Sequence, residues 1–364
     1  MVDLIIDYAN KNNITLRLTD KDTNKWDPIF SAVYINDIKY LKLLFDYADI
    51  KDITININER ICNGTTLIQY AFSKCNVEMI KLLIDYANNH NEILEINGKN
   101  KNKSYALLLA IYSNNNDIVK IIFDYAHNKN IILNINDTNE YGNYPLLCAI
   151  TNNNVEIVKL LMEYAHKNYI PLKINEKDDD DSSPLLCAVY NNNIEIVKLI
   201  LEYSIKNKVY LNIDEQDREE WYPLSSAIFN NNIEMFKLLI DYADRKKVVF
   251  DINNKKSDGT NLITYASSKN NTEFVKLIID YANNHNIVLK ITEKNDDGMF
   301  PILYAINNNN LEMVQLIIQY AEQNDMILKI NKKDINEISE INNDIIKALM
   351  QYKQEMINAK KMVS

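Results

Sequence analysis

Residues 131–168 read IILNINDTNEYGNYPLLCAITNNNVEIVKLLMEYAHKN, and this stretch decides the fold. It opens with an alternation, Leu133 and Ile135 pointing one way and their neighbours the other, which predicts a strand-like segment. A polar tip with Gly142 follows, then Pro145 at a position that suits the first turn of a helix, where no donor is lost. A short apolar run carries Ala149. The cluster Asn152-Asn153-Asn154 closes that run, and its last member can cap the next helix. That second helix sets Val155, Val158, Leu161 and Ala165 on one face.

The same text recurs along the chain. Tyr8, Tyr47, Tyr86, Tyr125, Tyr164, Tyr203, Tyr242, Tyr281 and Tyr320 stand 39 residues apart without insertion or deletion. Ala32, Ala71, Ala110, Ala149, Ala188, Ala227, Ala266 and Ala305 keep the same step, and Pro28, Pro145, Pro184, Pro223 and Pro301 share one column. A small residue at a fixed place in a helix predicts close packing of another helix there. Gly64, Gly142, Gly259 and Gly298 share a column before the first helix that asks for a positive φ, whereas Gly98 lies outside it. An internal period of this length is the mark of a repeat array.

Bulk composition agrees and excludes some roles. Of 364 residues 47% are apolar, enough for a large core, with only 5 glycines and 6 prolines. Asparagine takes over the turns, since it tolerates left-handed backbone. A net charge of −10 argues against a nucleic-acid backbone or an anionic membrane as the main partner. No apolar run reaches the roughly 18 residues of a membrane span, and the N-terminus lacks the basic start of a signal peptide. Cys62, Cys75, Cys148 and Cys187 form no CxxC pair and are read as buried free thiols, which implies a reducing, cytoplasmic setting.

A hairpin, a proline-opened short helix, an Asn/Gly turn and a longer helix with V-K-L-L resemble the ankyrin repeat over nearly the whole chain. GNYPLLCAITNNNVEIVKLL is similar to that family's G-x-T-P-L-H-x-A-A-x-x-G-x-x-x-I-V-x-L-L. The resemblance implies an α-solenoid, an ankyrin-like array of β-hairpin/helix-turn-helix repeats. Two departures stand out. The unit exceeds the family's usual length of about 33 residues, the excess falling after the second helix, which is expected to run one turn further. The family's Thr survives only at Thr66, with Tyr105, Tyr144, Tyr222 and Phe300 elsewhere in that column. The expected organisation is a half-repeat at 1–13 (a second helix only), eight full units over 14–325, and a shortened cap at 326–364. The end helix KQEMINAKK reads as solvated.

Catalytic or cofactor chemistry has no foothold in this reading, and no cofactor or metal is expected. His90, His127, His166 and His285 end second helices, where a cation or donor suits the helix dipole. Asp178-Asp179-Asp180-Asp181 lacks EF-hand spacing and reads as a solvated tip. HExxH, GxSxG, P-loop and GxGxxG motifs are missing from the sequence.

The resemblance implies a protein partner, held by hairpin tips and the exposed side of the first helices on the concave face. Two columns of the repeat bear on this. The Asn143 column, just before the first helix, holds Trp26, Trp221 and Met299. The Thr151 column, late on that helix, holds Tyr34, Tyr112, Tyr190 and Phe229, and Tyr141 adds a ring at a tip. Exposed aromatics are what binding hot spots use; the other reading is that these rings only pack on one another or on a hairpin. The function expected is a non-catalytic protein-binding scaffold or adaptor, monomeric. The alternative is a structural spacer or regulatory arm acting through its ends or edges, since Leu4, Ile5 and Tyr8 lack a first helix of their own, and end-to-end association is then expected.

Overall fold

The structure, a computed structural model, describes residues 2–23, 26–330 and 342–363. They fall into two compact bodies, Met1–Asp179 and Asp180–Ser364. In the first, α1 (Val2–Lys11) is followed by four pairs of a short and a long helix. These are α2 (Pro28–Tyr34) with α3 (Ile38–Ile50), α4 (Leu67–Ser73) with α5 (Val77–Asn89), α6 (Ala106–Tyr112) with α7 (Asn116–Asn128), and α8 (Pro145–Thr151) with α9 (Val155–Lys167). The second body repeats the pattern: α10 (Pro184–Tyr190) with α11 (Ile194–Asn207), α12 (Pro223–Phe229) with α13 (Ile233–Lys246), α14 (Leu262–Ser268) with α15 (Thr272–Asn284), α16 (Pro301–Asn307) with α17 (Leu311–Gln323). It ends in α18 (Asn343–Val363).

Each short helix has seven residues and is too short to persist alone. Packing holds it. All eight alanines of the fixed column are fully buried, and within each body successive short helices lie against one another. Except in the second repeat, an asparagine closing the short helix adopts left-handed φ, 56° at Asn153 and 51° at Asn231, and an asparagine (Asp37 in the first repeat) caps the long helix, Asn154 Oδ1 accepting Ile157 N–H at 3.1 Å. Those capping asparagines also reach across repeats: the Nδ2 of Asn154, Asn271 and Asn310 donate to Asn114, Asn231 and Asn270 at 2.7–2.8 Å.

The strand-like openings keep the expected alternation, Leu133 and Ile135 being buried, but pair into no ladder. Among the described residues only two isolated bridges occur, Arg60 with Thr66 and Lys255 with Asn261. Side chains have taken the backbone groups a neighbouring strand would use. Leu133 N–H donates to the Tyr164 hydroxyl at 2.9 Å, Asn134 N–H to Asn97 Oδ1 at 3.2 Å, and Asn97 Nδ2 donates to Ile132 O at 2.7 Å.

This explains the tyrosine column and the long second helix together. The extra turn carries each tyrosine back over the opening segment of its own repeat. Tyr47, Tyr125, Tyr164, Tyr281 and Tyr320 all accept a backbone N–H from the residue 31 positions earlier, at 2.8–2.9 Å. Tyr352 on α18 does the same for Leu328 at 3.0 Å and donates to Met326 O. In the capping column, Thr66 makes a capping box with Gln69, whereas the hydroxyls of Tyr105 and Tyr144 reach forward to Asp137 O and Glu176 O, both at 2.9 Å. The local cap is exchanged for a bond to the next repeat.

The cysteines are all free, but only Cys148 is buried; Cys187 is half-buried and Cys62 and Cys75 are exposed. Cys62 sits in a tip turn, and Cys75 takes the left-handed position (φ 56°) that asparagine holds elsewhere. Within the expected cap 326–364, residues 331–341 and the side chains beyond Glu355 lie outside the described residues, while Lys353, Gln354 and Glu355 are exposed.

Candidate functional site

At the mapped tryptophans, Asn143 and Met299 the tip before the short helix is fixed by a side chain four residues upstream. Asp22 accepts Trp26 N–H at 2.8 Å, Asn139 accepts Asn143 N–H at 3.0 Å, Asp217 accepts Trp221 N–H at 2.9 Å, and Asn295 accepts Met299 N–H at 2.8 Å. With the backbone held, the side chain leans along the exposed flank of the helix that follows. The Thr151 column emerges on that same flank at the helix's other end.

In the first body this brings Trp26 and Tyr34 together, ring centroids 4.4 Å apart, and adds Tyr70 at 5.5 Å from Tyr34. Phe30 packs beneath, 5.5 Å from Trp26 and 5.3 Å from Tyr70. Phe30 is buried, Trp26 and Tyr70 are half-buried, and Tyr34 is exposed. Lys74 lays its ammonium 5.3 Å from the Tyr34 ring and 5.2 Å from the Tyr70 ring.

In the second body Trp221 meets Phe229 edge-on at 5.2 Å and Tyr265 at 5.8 Å, and Tyr190 stacks on Phe229 at 6.1 Å with 6° between planes. Lys269 stands 5.4 Å from Phe229 and 5.2 Å from Tyr265, and Lys256 3.8 Å from Trp221. Burial pushes the Tyr265 hydroxyl up to about 12, so it stays a neutral donor at any working pH. Tyr190 and Phe229 remain exposed.

The other mapped residues stand apart. Tyr112 is exposed at the ring, yet its hydroxyl accepts Asn139 Nδ2 at 2.9 Å and is pushed well up, chiefly by burial and then by Cys148 beside it. Tyr141 is exposed at its tip, and Met299 is half-buried; neither joins a ring pair among the described residues. Lys74 stands out in the sequence as one of the basic residues on the first helices and tips of the second and third repeats, whereas Phe30, Tyr70, Lys256, Tyr265 and Lys269 do not stand out there. Tyr70 and Tyr265 share one column midway along the short helix, and that column is the sequence signal for them.

For metals, no group of three or more His, Cys, Asp or Glu is gathered among the described residues. His90 and His285 bridge repeats instead, pairing with Asp49 at 3.1 Å and Asp244 at 2.8 Å. In the acidic run, Asp179, Asp180 and Asp181 are exposed, Asp178 is half-buried, and Arg218 pairs with Asp180 and Asp181 at 3.6 and 3.5 Å.

A family model described as ankyrin repeats (3 copies) matches residues 50–132, 88–171, 129–212, 166–251, 203–288 and 246–334. Among solved structures, the ankyrin repeat domain of Bcl-3, described as a unique member of the IkappaB protein family, matches at 18% identity with a TM-score of 0.48. That match covers 70% of this chain and 99% of that one. No curated protein matches the chain.

Proposed function

The chain belongs to the ankyrin repeat family, and we propose that it is a non-catalytic scaffold gripping a protein partner with its tips and first helices, the concave face of such a solenoid. Repeats of this family are generally protein–protein interaction modules. One observation carries the finer reading: each body holds a tryptophan-centred aromatic cluster at the surface, partly exposed though it packs on itself. Rings fixed by their neighbours bury large area at low entropy cost when a partner arrives. Trp26, Tyr34, Tyr190, Trp221 and Phe229 are assigned to the contact, with Tyr112, Tyr141 and Met299 at its periphery.

In this reading residues 14–325 are eight repeats, 1–13 a half-repeat and 326–364 a cap, and the free thiols fit a reducing, cytoplasmic setting. None of the described helices is long and apolar enough to cross a membrane. The test is affinity capture from the native host. Trp26→Ala with Trp221→Ala should weaken the captured partner by more than about tenfold with helical circular dichroism intact; unchanged affinity would remove the site assignment.

A second reading, association through the ends, is favoured by Leu4, Ile5 and Tyr8, exposed at 71, 48 and 63% on α1. Light scattering at several concentrations separates it, since a stable oligomer would support it and a monomer would exclude it.

A further inference from the structure

The two aromatic clusters are the same constellation written twice. Trp26, Tyr34, Tyr70 and Lys74 in the first body correspond to Trp221, Phe229, Tyr265 and Lys269 in the second, each pair five 39-residue units apart. The placement of Lys74 and Lys269 repeats as well as the spacing, although Trp26 also packs on Phe30 and Trp221 also carries Lys256 3.8 Å from its ring. Each lysine ammonium lies between two rings at nearly equal distances, 5.3 and 5.2 Å in one body, 5.4 and 5.2 Å in the other.

The lysines are the informative members. In their column the other repeats carry Ile35, Ser113, Asn152, Asn191, Asn230 and Asn308. Asn152 and Asn230 brace the array: Asn152 Nδ2 donates to Ile111 O at 2.9 Å, and Asn230 Nδ2 to Val189 O at 2.8 Å and Tyr190 O at 3.1 Å. Lys74 and Lys269 forgo that brace, as do Ile35 and Ser113, but lysine stands in this column only in the repeats that follow a tryptophan. Both are exposed, and among the described residues neither ammonium pairs with a carboxylate. On a chain of net charge −10, two unneutralised cations fixed over aromatic shelves are a local departure from the prevailing field, and they face outward.

We infer that each body carries one copy of a single peptide-recognition site. It takes a large apolar side chain against the tryptophan and its partner ring, with an adjacent carboxylate on the lysine. The occupant is an acidic-flanked hydrophobic segment of a partner protein, and the full chain binds two such segments. This rests on the proposed scaffold function and specifies the chemistry of its partner. The cation already polarised over two rings gives the carboxylate a partly desolvated, charge-assisted contact. The tryptophan supplies the area.

The test uses the full-length chain and an array of short acetylated peptides, each with one Leu, Phe or Trp between two Glu. Matched peptides carry Gln or Lys in place of Glu. Tryptophan fluorescence and titration calorimetry should show the Glu peptides bound about tenfold more tightly than the Gln peptides and at two sites per chain. Lys74→Asn and Lys269→Asn restore the residue found elsewhere in the column and so preserve folding. Each should erase the acid preference at one site, and the pair at both.

Equal binding of Glu and Gln peptides, a single site, or no binding by any peptide would overturn the inference. Its failure is separable from that of the scaffold reading. If host-partner capture is lost in the double tryptophan variant but untouched by the double lysine variant, the aromatic face stands and the acidic-peptide assignment falls.

Discussion

Changing Tyr125 to Phe removes one oxygen and leaves the ring. The hydroxyl accepts Leu94 N–H at 2.8 Å, and both residues are buried, Leu94 at 1% and Tyr125 at 5% exposure. The apolar area is therefore unchanged to first order, and no cavity larger than an oxygen appears. What remains is a backbone N–H stranded in a dry place where water cannot replace the lost acceptor. Orphaning such a donor costs about 1–3 kcal/mol, more than the net worth of about 1 kcal/mol for making the bond. Because repeats couple only to their neighbours, the loss should concentrate in the unit carrying Leu94 and Tyr125 rather than spread evenly.

Native-state hydrogen exchange at the Leu94 amide should accelerate roughly 5- to 150-fold, and the urea transition of the first body should move to lower concentration. Tyr8→Phe is the internal control. It belongs to the same column but is 63% exposed, so its removal should change stability by less than about 0.5 kcal/mol. If Tyr125→Phe behaves like Tyr8→Phe and Leu94 stays equally protected, the tyrosine column does not hold the opening segments.

Three further predictions concern the same repeat architecture. Asp214 occupies the column of Asn58, Asn97, Asn136 and Asn253, each of which accepts one backbone N–H and donates to one carbonyl of the next repeat. As a carboxylate Asp214 can only accept, taking Asp251 N–H at 2.7 Å, and burial, opposed by that bond and reinforced by the Asp251 charge, pushes its carboxyl up to about 6. Since this lies above the unfolded value of about 3.9, the folded chain holds the extra proton. The penalty is absent below about pH 4, grows as pH rises, and is complete above about 6. Asp214→Asn should gain roughly 2 kcal/mol at neutral pH and little at pH 4 in paired urea melts; an equal gain at both values would refute the cause.

Gly142→Ala should destabilise by about 2 kcal/mol or more, because φ is +73° and a Cβ would meet the Asp178 backbone at 3.1 Å. Gly298→Ala, at +74° with nothing within 4 Å, should cost only the φ penalty of about 1 kcal/mol. Thermal melts that rank the two in reverse would contradict this. Tyr169, 94% exposed with φ 57°, pays for a left-handed backbone with no packing in return. Tyr169→Asn should stabilise by about 0.5 kcal/mol, and a loss on urea melting would mean the ring makes a contact of its own.

Much of this was legible in the sequence because repetition amplifies weak local signals. The proline, alanine and asparagine columns specify helix starts, close packing and left-handed turns one residue at a time, and the short and long helices follow them. The strand pairing was not legible, since alternation at Leu133 and Ile135 reports burial of alternate side chains and says nothing of what the backbone bonds to. Its partners, Tyr164 and Asn97, lie 31 residues downstream and 37 upstream, beyond any local pattern. The tyrosine spacing announced the period while its purpose waited for three dimensions.

At the candidate site the pairing of Trp26 with Tyr34 and of Trp221 with Phe229 was readable by column. Tyr70, Lys74, Tyr265 and Lys269 come from the following repeat. They enter only when adjacent short helices are laid side by side.

The claim that the tip and first-helix face is the binding surface is tested most directly by side-chain footprinting of the captured complex against the free chain. Hydroxyl-radical labelling of Trp26, Tyr34, Trp221 and Phe229 should fall several-fold on complex formation, while exposed Tyr169 and Tyr210, which lie beyond the long helices, keep their labelling. Protection of Tyr169, Tyr210 or Tyr8 with the tryptophans still freely labelled would contradict it.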